Sequence, residues 1–136
     1  MADFNQTIIS EFRANGGHVE TAGFGDSLVL LHTVGAKSGE PRVHPLMAIA
    51  TEDGWMVVAS AAGSPRHPAW FHNLVANPSA QVELGTGELA DVVATQLEGA
   101  DYDAAWAAFT ARSPGFESYK ARAAGRTIPV LKLARR

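Results

Sequence analysis

The stretch GAKSGEPRVHP, residues 35–45, sets two cations, Lys37 and Arg42, around a turn built from Gly, Ser and Pro. Gly35 and Gly39 permit backbone conformations closed to other residues, Ser38 adds a hydroxyl, and consecutive turn N–H groups can form an anion-holding concavity. Lys37 supplies a point charge, while Arg42 can grip a phosphate or carboxylate through two N–H groups. Capture of an anionic ligand is the chemistry on offer, although the same residues also make an ordinary solvated hairpin. The stretch is not a P-loop: Gly and Lys are not adjacent, the glycine spacing differs, and a strand follows where a helix N-terminus is needed.

Pro45 interrupts RVHPLMAIA and cannot donate to a sheet ladder, so it marks an edge or a bulge, where backbone is left free to meet a ligand. Downstream, in ASAAGSPRHPAWFHNL, residues 59–74, the small residues Ala59, Ser60, Ala61, Ala62 and Gly63 leave room for a flat group to approach. Trp70 and Phe71 can supply an aromatic wall or serve as core residues of a short helix. Conventional catalytic arrangements are poorly represented. No Gly-x-Ser-x-Gly elbow occurs, and the chain has no Cys. No metal is expected: His67 and His72 do not share a helix face, and His32 and His44, opposed across the first hairpin, would find no third ligand. Asp91, Asp101 and Asp103 are better explained by strand placement and helix capping. A pocket without acid–base machinery suits chemistry carried by a cofactor.

The elements that must position these residues follow from periodicity. Phe4, Ile8, Ile9 and Phe12 fall at helical spacing, and Asn15-Gly16-Gly17 supplies a stop. Strand signals follow in SLVLLHT, RVHPLMAIAT, WMVVAS, AQVEL, ELADVVATQ and TIPVLKLA, separated by turn residues such as Asp53-Gly54 and Gly85-Thr86-Gly87. Helical segments PAWFHNLVAN, with Pro68 near its first turn, and DYDAAWAAFTAR interrupt them. Connections this short favour antiparallel pairing. The expected architecture is mainly β, a small antiparallel barrel with added helices, forming one domain over residues 1–136.

At 136 residues and 46% hydrophobic content, the chain suffices for one core. Absent Cys fits a reducing compartment, and the polar N-terminus and lack of a long apolar run suggest a cytoplasmic protein without stable membrane insertion. A net charge of -3 argues against nucleic-acid binding, which needs a dense positive field. Any anion the chain binds must be met locally.

Three motifs in order, TVGAKSGEPRVHPL, VVASAAGSPRHPAWFHNLVANP and GRTIPVLKL, resemble the nitroreductase-type deazaflavin-dependent oxidoreductases of actinobacteria, with the resemblance running nearly the whole chain from Phe4. It implies a split β-barrel, related to the FMN-binding barrels of the pyridoxamine phosphate oxidase type, that binds coenzyme F420. FMN is the less favoured cofactor. By resemblance, Lys37, Ser38, Gly39, Pro41 and Arg42 meet the cofactor's phosphate and acidic tail. Val43, His44, Pro45 and the segment Ala59, Ser60, Ala61, Ala62 and Gly63 lie along it, with the helix start Pro68, Ala69, Trp70 and Phe71 covering another side. The implied activity is hydride transfer from reduced F420 to a small conjugated acceptor: a quinone, an enone or a nitro compound. Ser60 and Tyr119 are the candidate donors to the acceptor's oxygen. The alternative is a non-catalytic carrier of a deazaflavin or another amphipathic ligand. Related barrels suggest a homodimer. Two departures stand out: Ala36 and Ala61 occupy positions where the family commonly has Arg and Lys. A third is that Ser113 and Phe116 stand in the segment where nitro- and quinone-reducing members carry tyrosines.

Overall fold

The computed structural model describes residues 4–21, 24–59, 68–112 and 128–136. The chain opens with helix α1 (Phe4–Ala14), then runs β1 (Leu28–Val34), β2 (Pro41–Thr51) and β3 (Gly54–Val58). Helix α2 (Ala69–Ala76) leads to β4 (Ser79–Glu83) and β5 (Leu89–Gln96), and helix α3 (Gly99–Arg112) precedes β6 (Val130–Arg135). The strands close into a barrel in the order β1-β2-β3-β6-β5-β4, every pair antiparallel. Each element lies within a few residues of its sequence signal, because strand alternation and helical spacing are both strong here.

Alternation divides each strand between two faces. Inward positions Val29, Leu31, Ala48, Trp55, Val57, Val82, Val92, Leu131 and Leu133 pack with Trp70, Phe71 and Leu74 of α2, which inserts its apolar face into the barrel core. The outward face is covered twice. Ile8, Ile9 and Phe12 of α1 pack on Leu28 and Leu30, while Ala105, Trp106 and Phe109 of α3 pack on Val58 and Val130. Met47 touches both outer clusters, so the outward row of β2 runs between the two helices. Tyr102 stacks on Trp106 and donates to the Ile128 carbonyl at 2.7 Å, which ties α3 to the chain just ahead of β6.

The register answers the question raised by Pro45. Pro41 to Met47 pair only with β1, and pairing with β3 begins at Ala48. The Ala48 N–H donates to the Ser27 carbonyl at 2.9 Å, so counting by twos makes Leu30↔Pro45 a non-hydrogen-bonded pair. The position without an N–H therefore faces the unpaired side, and β2 behaves there as an edge inside a closed barrel. The same register corrects the expectation that His32 and His44 oppose each other. His32 pairs with Val43 and His44 with Leu31, which puts the two imidazoles on opposite faces. Among the described residues no group of three metal-ligating side chains forms, and no helix is long and apolar enough to cross a membrane.

Candidate functional site at the first hairpin

The β1–β2 hairpin is closed by the Gly35 N–H donating to the Glu40 carbonyl at 2.8 Å, with the Gly39 N–H donating to the Gly35 carbonyl at 3.0 Å. Gly39 sits at φ 70°, the left-handed conformation that its missing Cβ makes accessible. The Glu40 N–H donates to Ser38 Oγ at 3.2 Å, and the Ala36 N–H to Asn73 Oδ1 at 2.9 Å. These bonds consume the N–H groups of residues 35, 36, 39 and 40. The two that remain are consecutive: among the described residues, the N–H groups of Lys37 and Ser38 have no protein partner. Both residues are exposed, and among the described residues the Lys37 ammonium makes no ion pair.

Arg42 stands on β2 directly across from Thr33. Its Nη1 donates to Glu40 Oε2 at 3.4 Å and to the Pro41 carbonyl at 3.3 Å, both long contacts in a half-exposed setting. Such a pair is weak and exchangeable. His44 follows on the same strand face. Its Nδ1 is buried without a hydrogen-bond partner, and burial first, then the nearby Arg42 charge, holds its imidazole below the usual histidine pKa. A buried polar atom left unpaired costs free energy, which a ligand hydrogen bond would recover.

The remaining sequence-predicted residues separate. Val43 and Pro45 share the outward face of β2, opposite to His44, so a ligand lying flat along β2 meets alternate residues, not all three. Trp70 and Phe71 are 4% and 7% exposed and belong to the barrel core, so neither offers an open aromatic wall. Ala59 is likewise buried in that core, with its N–H donating to the Pro129 carbonyl at 2.9 Å. Ala69 is exposed and Pro68 half-buried at the head of α2. Ser60, Ala61, Ala62, Gly63 and Tyr119 lie outside the described residues. A separate cleft of about 330 Å³ lies between α3 and the barrel, lined by Thr51, Met56, Leu97, Asp101, Ala105 and Lys132, at the end of β2 remote from the hairpin. Its Lys132 is held by Asp53 at 3.0 Å.

One polar residue of the site escaped the sequence reading. Asn73 is 6% exposed, donates through Nδ2 to Thr33 Oγ1 at 3.0 Å, and receives the Ala36 N–H. The available signal was an amide placed three residues after Trp70 and one before Leu74 on an otherwise apolar helix face.

The closed antiparallel six-stranded barrel with three helices is the split-barrel fold found in FMN-binding barrels of the pyridoxamine phosphate oxidase type and in F420-dependent reductases. The chain matches the F420H(2)-dependent quinone reductase family over residues 5–134, and it belongs to that family. It is an F420-dependent oxidoreductase, and its cofactor is coenzyme F420. It is 38% identical over 112 residues to an F420H(2)-dependent quinone reductase of Mycobacterium tuberculosis, covering 79% of this chain and 73% of that one. Among solved structures, an F420-H2-dependent reductase, FDR-A, superposes with a TM-score of 0.70 at 35% identity, covering 79% of this chain and 93% of its own. A candidate pyridoxamine 5'-phosphate oxidase of Listeria innocua shares the barrel alone, at 12% identity and a TM-score of 0.54 over 98% of this chain and 94% of its own.

Proposed function

We propose that the chain reduces a small planar acceptor of the quinone class, with enones and activated nitro compounds as further acceptors, and that the hairpin of residues 37–42 holds the anionic part of the cofactor. The observation that supports the hairpin's role is the pair of consecutive N–H groups at Lys37 and Ser38 that no described residue engages, flanked by the Lys37 ammonium and the loosely held Arg42 guanidinium. Two adjacent N–H groups converging on one point form the concavity that binds a phosphate or carboxylate oxygen. The residues present fit a phosphate-bearing, acidic cofactor, and the unpaired His44 Nδ1 adds a buried polar contact one strand step further along.

Held by Lys37, Ser38 and Arg42, reduced F420 would supply a hydride equivalent, and a quinone acceptor would need one further proton, drawn from solvent, to become the hydroquinone. The protein's part is to fix the geometry and to stabilise charge. Lys37, Ser38 and Arg42 anchor the anionic end, so that the rest of the cofactor is bound with less loss of freedom. Arg42 and His44 share one face of the β2 stretch that has no second neighbour, and a flat ring system can lie along that face beyond the anchored end, whereas Val43 on the opposite face packs with the α1 cluster. Ser60 and Tyr119 are the proposed donors to the acceptor oxygen as negative charge develops on it. Ser113 and Phe116 place fewer hydroxyls in the acceptor segment than tyrosines would, which favours acceptors that need few donors.

Steady-state oxidation of reduced F420 with a panel of quinones, enones and nitro compounds tests this reading. Turnover with at least one quinone is the expected result. Tight binding of the deazaflavin with no turnover by any acceptor would instead identify a carrier.

A further inference from the structure

Thr33 and Asn73 are the only buried polar residues among those described, at 5% and 6% exposure, and they are bonded to each other. We propose that Asn73 is a positioning residue that couples helix α2 to the anion-binding turn; the inference rests on the hairpin's proposed role in holding the cofactor's anionic part.

Asn73 Oδ1 accepts the Ala36 N–H at 2.9 Å, one residue before Lys37, and its Nδ2 donates to Thr33 Oγ1 at 3.0 Å. Thr33 in turn stands directly across from Arg42. One buried amide thus grips the turn beside both cations, at the residue preceding one and at the cross-strand neighbour of the other. Removing the Ala36 N–H from the turn's pool also decides which donors stay open: with Ala36 committed inward, the Lys37 and Ser38 N–H groups are the consecutive pair that no described residue engages. Because Asn73 is flanked in α2 by core residues Trp70, Phe71 and Leu74, the turn is referenced to the barrel core and does not float at the hairpin tip. Buried polar pairs of this kind fix a single arrangement when fully satisfied, since any alternative leaves a donor or acceptor unpaired. An exposed four-residue turn without such an anchor would sample several arrangements, and each would weaken the concavity's grip on an oxyanion.

The test compares wild type, Asn73→Leu and Thr33→Val for binding of F420 carrying its phosphate and oligoglutamate tail and of the deazaflavin lacking both. Amide hydrogen exchange across residues 35–40 is read alongside. The expected result is a loss of about tenfold in affinity for the tailed cofactor in Asn73→Leu, the size of one lost hydrogen bond, with the tail-less form within about twofold of wild type. Thr33→Val, which keeps the Ala36 bond but loosens the amide, should fall between. Equal losses for both ligands would make Asn73 a packing residue and overturn the proposal. If Asn73→Leu fails to fold, Thr33→Val decides by the same comparison. The exchange readout needs no cofactor: the wild-type Ala36 amide should exchange more slowly than those of Lys37 and Ser38, with the difference reduced in Thr33→Val. Uniform exchange across the turn in wild type would overturn the anchor. Failure of wild type to bind either deazaflavin would instead overturn the hairpin's assigned role, and the exchange result would still decide whether Asn73 orders the turn.

Discussion

Arg13 grips Glu83 with both arms of its guanidinium, Nε to Oε2 and Nη2 to Oε1, each at 2.9 Å. The pair joins the last turn of α1 to the end of β4, and His32 Nε2 approaches the same carboxylate at 2.8 Å. The Arg13 hydrogen bond is the largest influence on Glu83 and holds its carboxyl below the usual value, with His32 adding to it against the opposing effect of burial. A depressed carboxyl contributes stability that is present above the unfolded value near 4.5 and is lost as pH falls through the lower folded value. Glu83→Gln should therefore flatten the acid limb of the stability curve. Because the Arg13 side chain is half exposed, its cost near neutral pH should be about 1 to 2 kcal/mol, below that of a fully buried pair. Urea denaturation at several pH values checks both statements, and an unchanged acid limb would remove Glu83 from the acid response.

His44 should show the opposite trade between stability and function. Its imidazole is held below the usual 6.5 by burial and then by Arg42, so the unfolded chain binds a proton more readily than the folded one. Stability must then fall as pH drops from about 6.5 toward the folded value. Replacing an unsatisfied buried polar group by an apolar one of similar size is neutral or favourable, so His44→Leu should keep or raise stability by up to about 1 kcal/mol and remove this slope. If the free Nδ1 serves the cofactor, the same variant should bind deazaflavin several-fold more weakly. Full affinity with raised stability would mean that His44 is a half-buried strand histidine with no part in binding.

His18 sets a contrasting window. Hydrogen bonds to Asp26 and Glu20, the first the larger, raise its pKa above 6.5. Its contribution is complete below the unfolded value and is lost as pH rises through the folded one, on the alkaline side of the His44 window. Titration of the His18 ring protons by NMR should give a midpoint above 6.5 that moves part of the way back in Asp26→Asn, with Glu20 still holding the other ring nitrogen. A midpoint at or below 6.5 in the wild type would show that the two carboxylates do not hold the ring.

Strand alternation in SLVLLHT and RVHPLMAIAT and the apolar spacing of Ile8, Ile9 and Phe12 made the barrel and its first helix legible, because burial of one face leaves a periodic trace. Pro45 announced an edge because the missing N–H is a local property of one residue. Face assignments within β2 were not legible, since they depend on register: a shift of one residue would have put His44 beside His32. Trp70 and Phe71 look the same in sequence whether they line a cleft or fill a core, and only the docking of α2 into the barrel separates the two. Asn73 and Glu83 act across separations of 40 and 70 residues, with Thr33 and Arg13, and no spacing rule reaches that far.

The acceptor side is tested at Tyr119. A phenol that donates to the acceptor oxygen only as charge develops lowers the barrier without binding the cofactor. Tyr119→Phe should therefore reduce kcat with every active acceptor, by up to about 2 to 4 kcal/mol of barrier, while deazaflavin affinity stays near wild type. Ser60→Ala gives the companion measurement. Unaltered turnover in Tyr119→Phe with a clear loss in Ser60→Ala would pass the donor role to Ser60.

The hairpin charges give the sharpest comparison. Lys37→Ala and Arg42→Ala each remove a cation from an exposed turn, so fold stability should barely change, while binding of tailed F420 should weaken by about 1.5 to 3 kcal/mol for each lost charge-assisted hydrogen bond. Screening should shrink these losses as salt rises. Glu40 works against the clamp: its carboxylate competes for Arg42 at 3.4 Å and adds negative charge beside the anion. Glu40→Gln should accordingly tighten binding, and Ala36→Arg or Ala61→Lys should do the same by adding positive charge. In every variant the change should be larger for F420 with a long oligoglutamate tail than for the deazaflavin lacking phosphate and tail, because only the former brings anionic groups to the hairpin, and the part that persists at high salt reports direct contact, since long-range attraction is screened away there. Titration of each variant with both ligands at two salt concentrations measures this. Equal changes for the two ligands would mean that residues 37–42 do not touch the tail, and Lys37 and Arg42 would then be solvated turn residues.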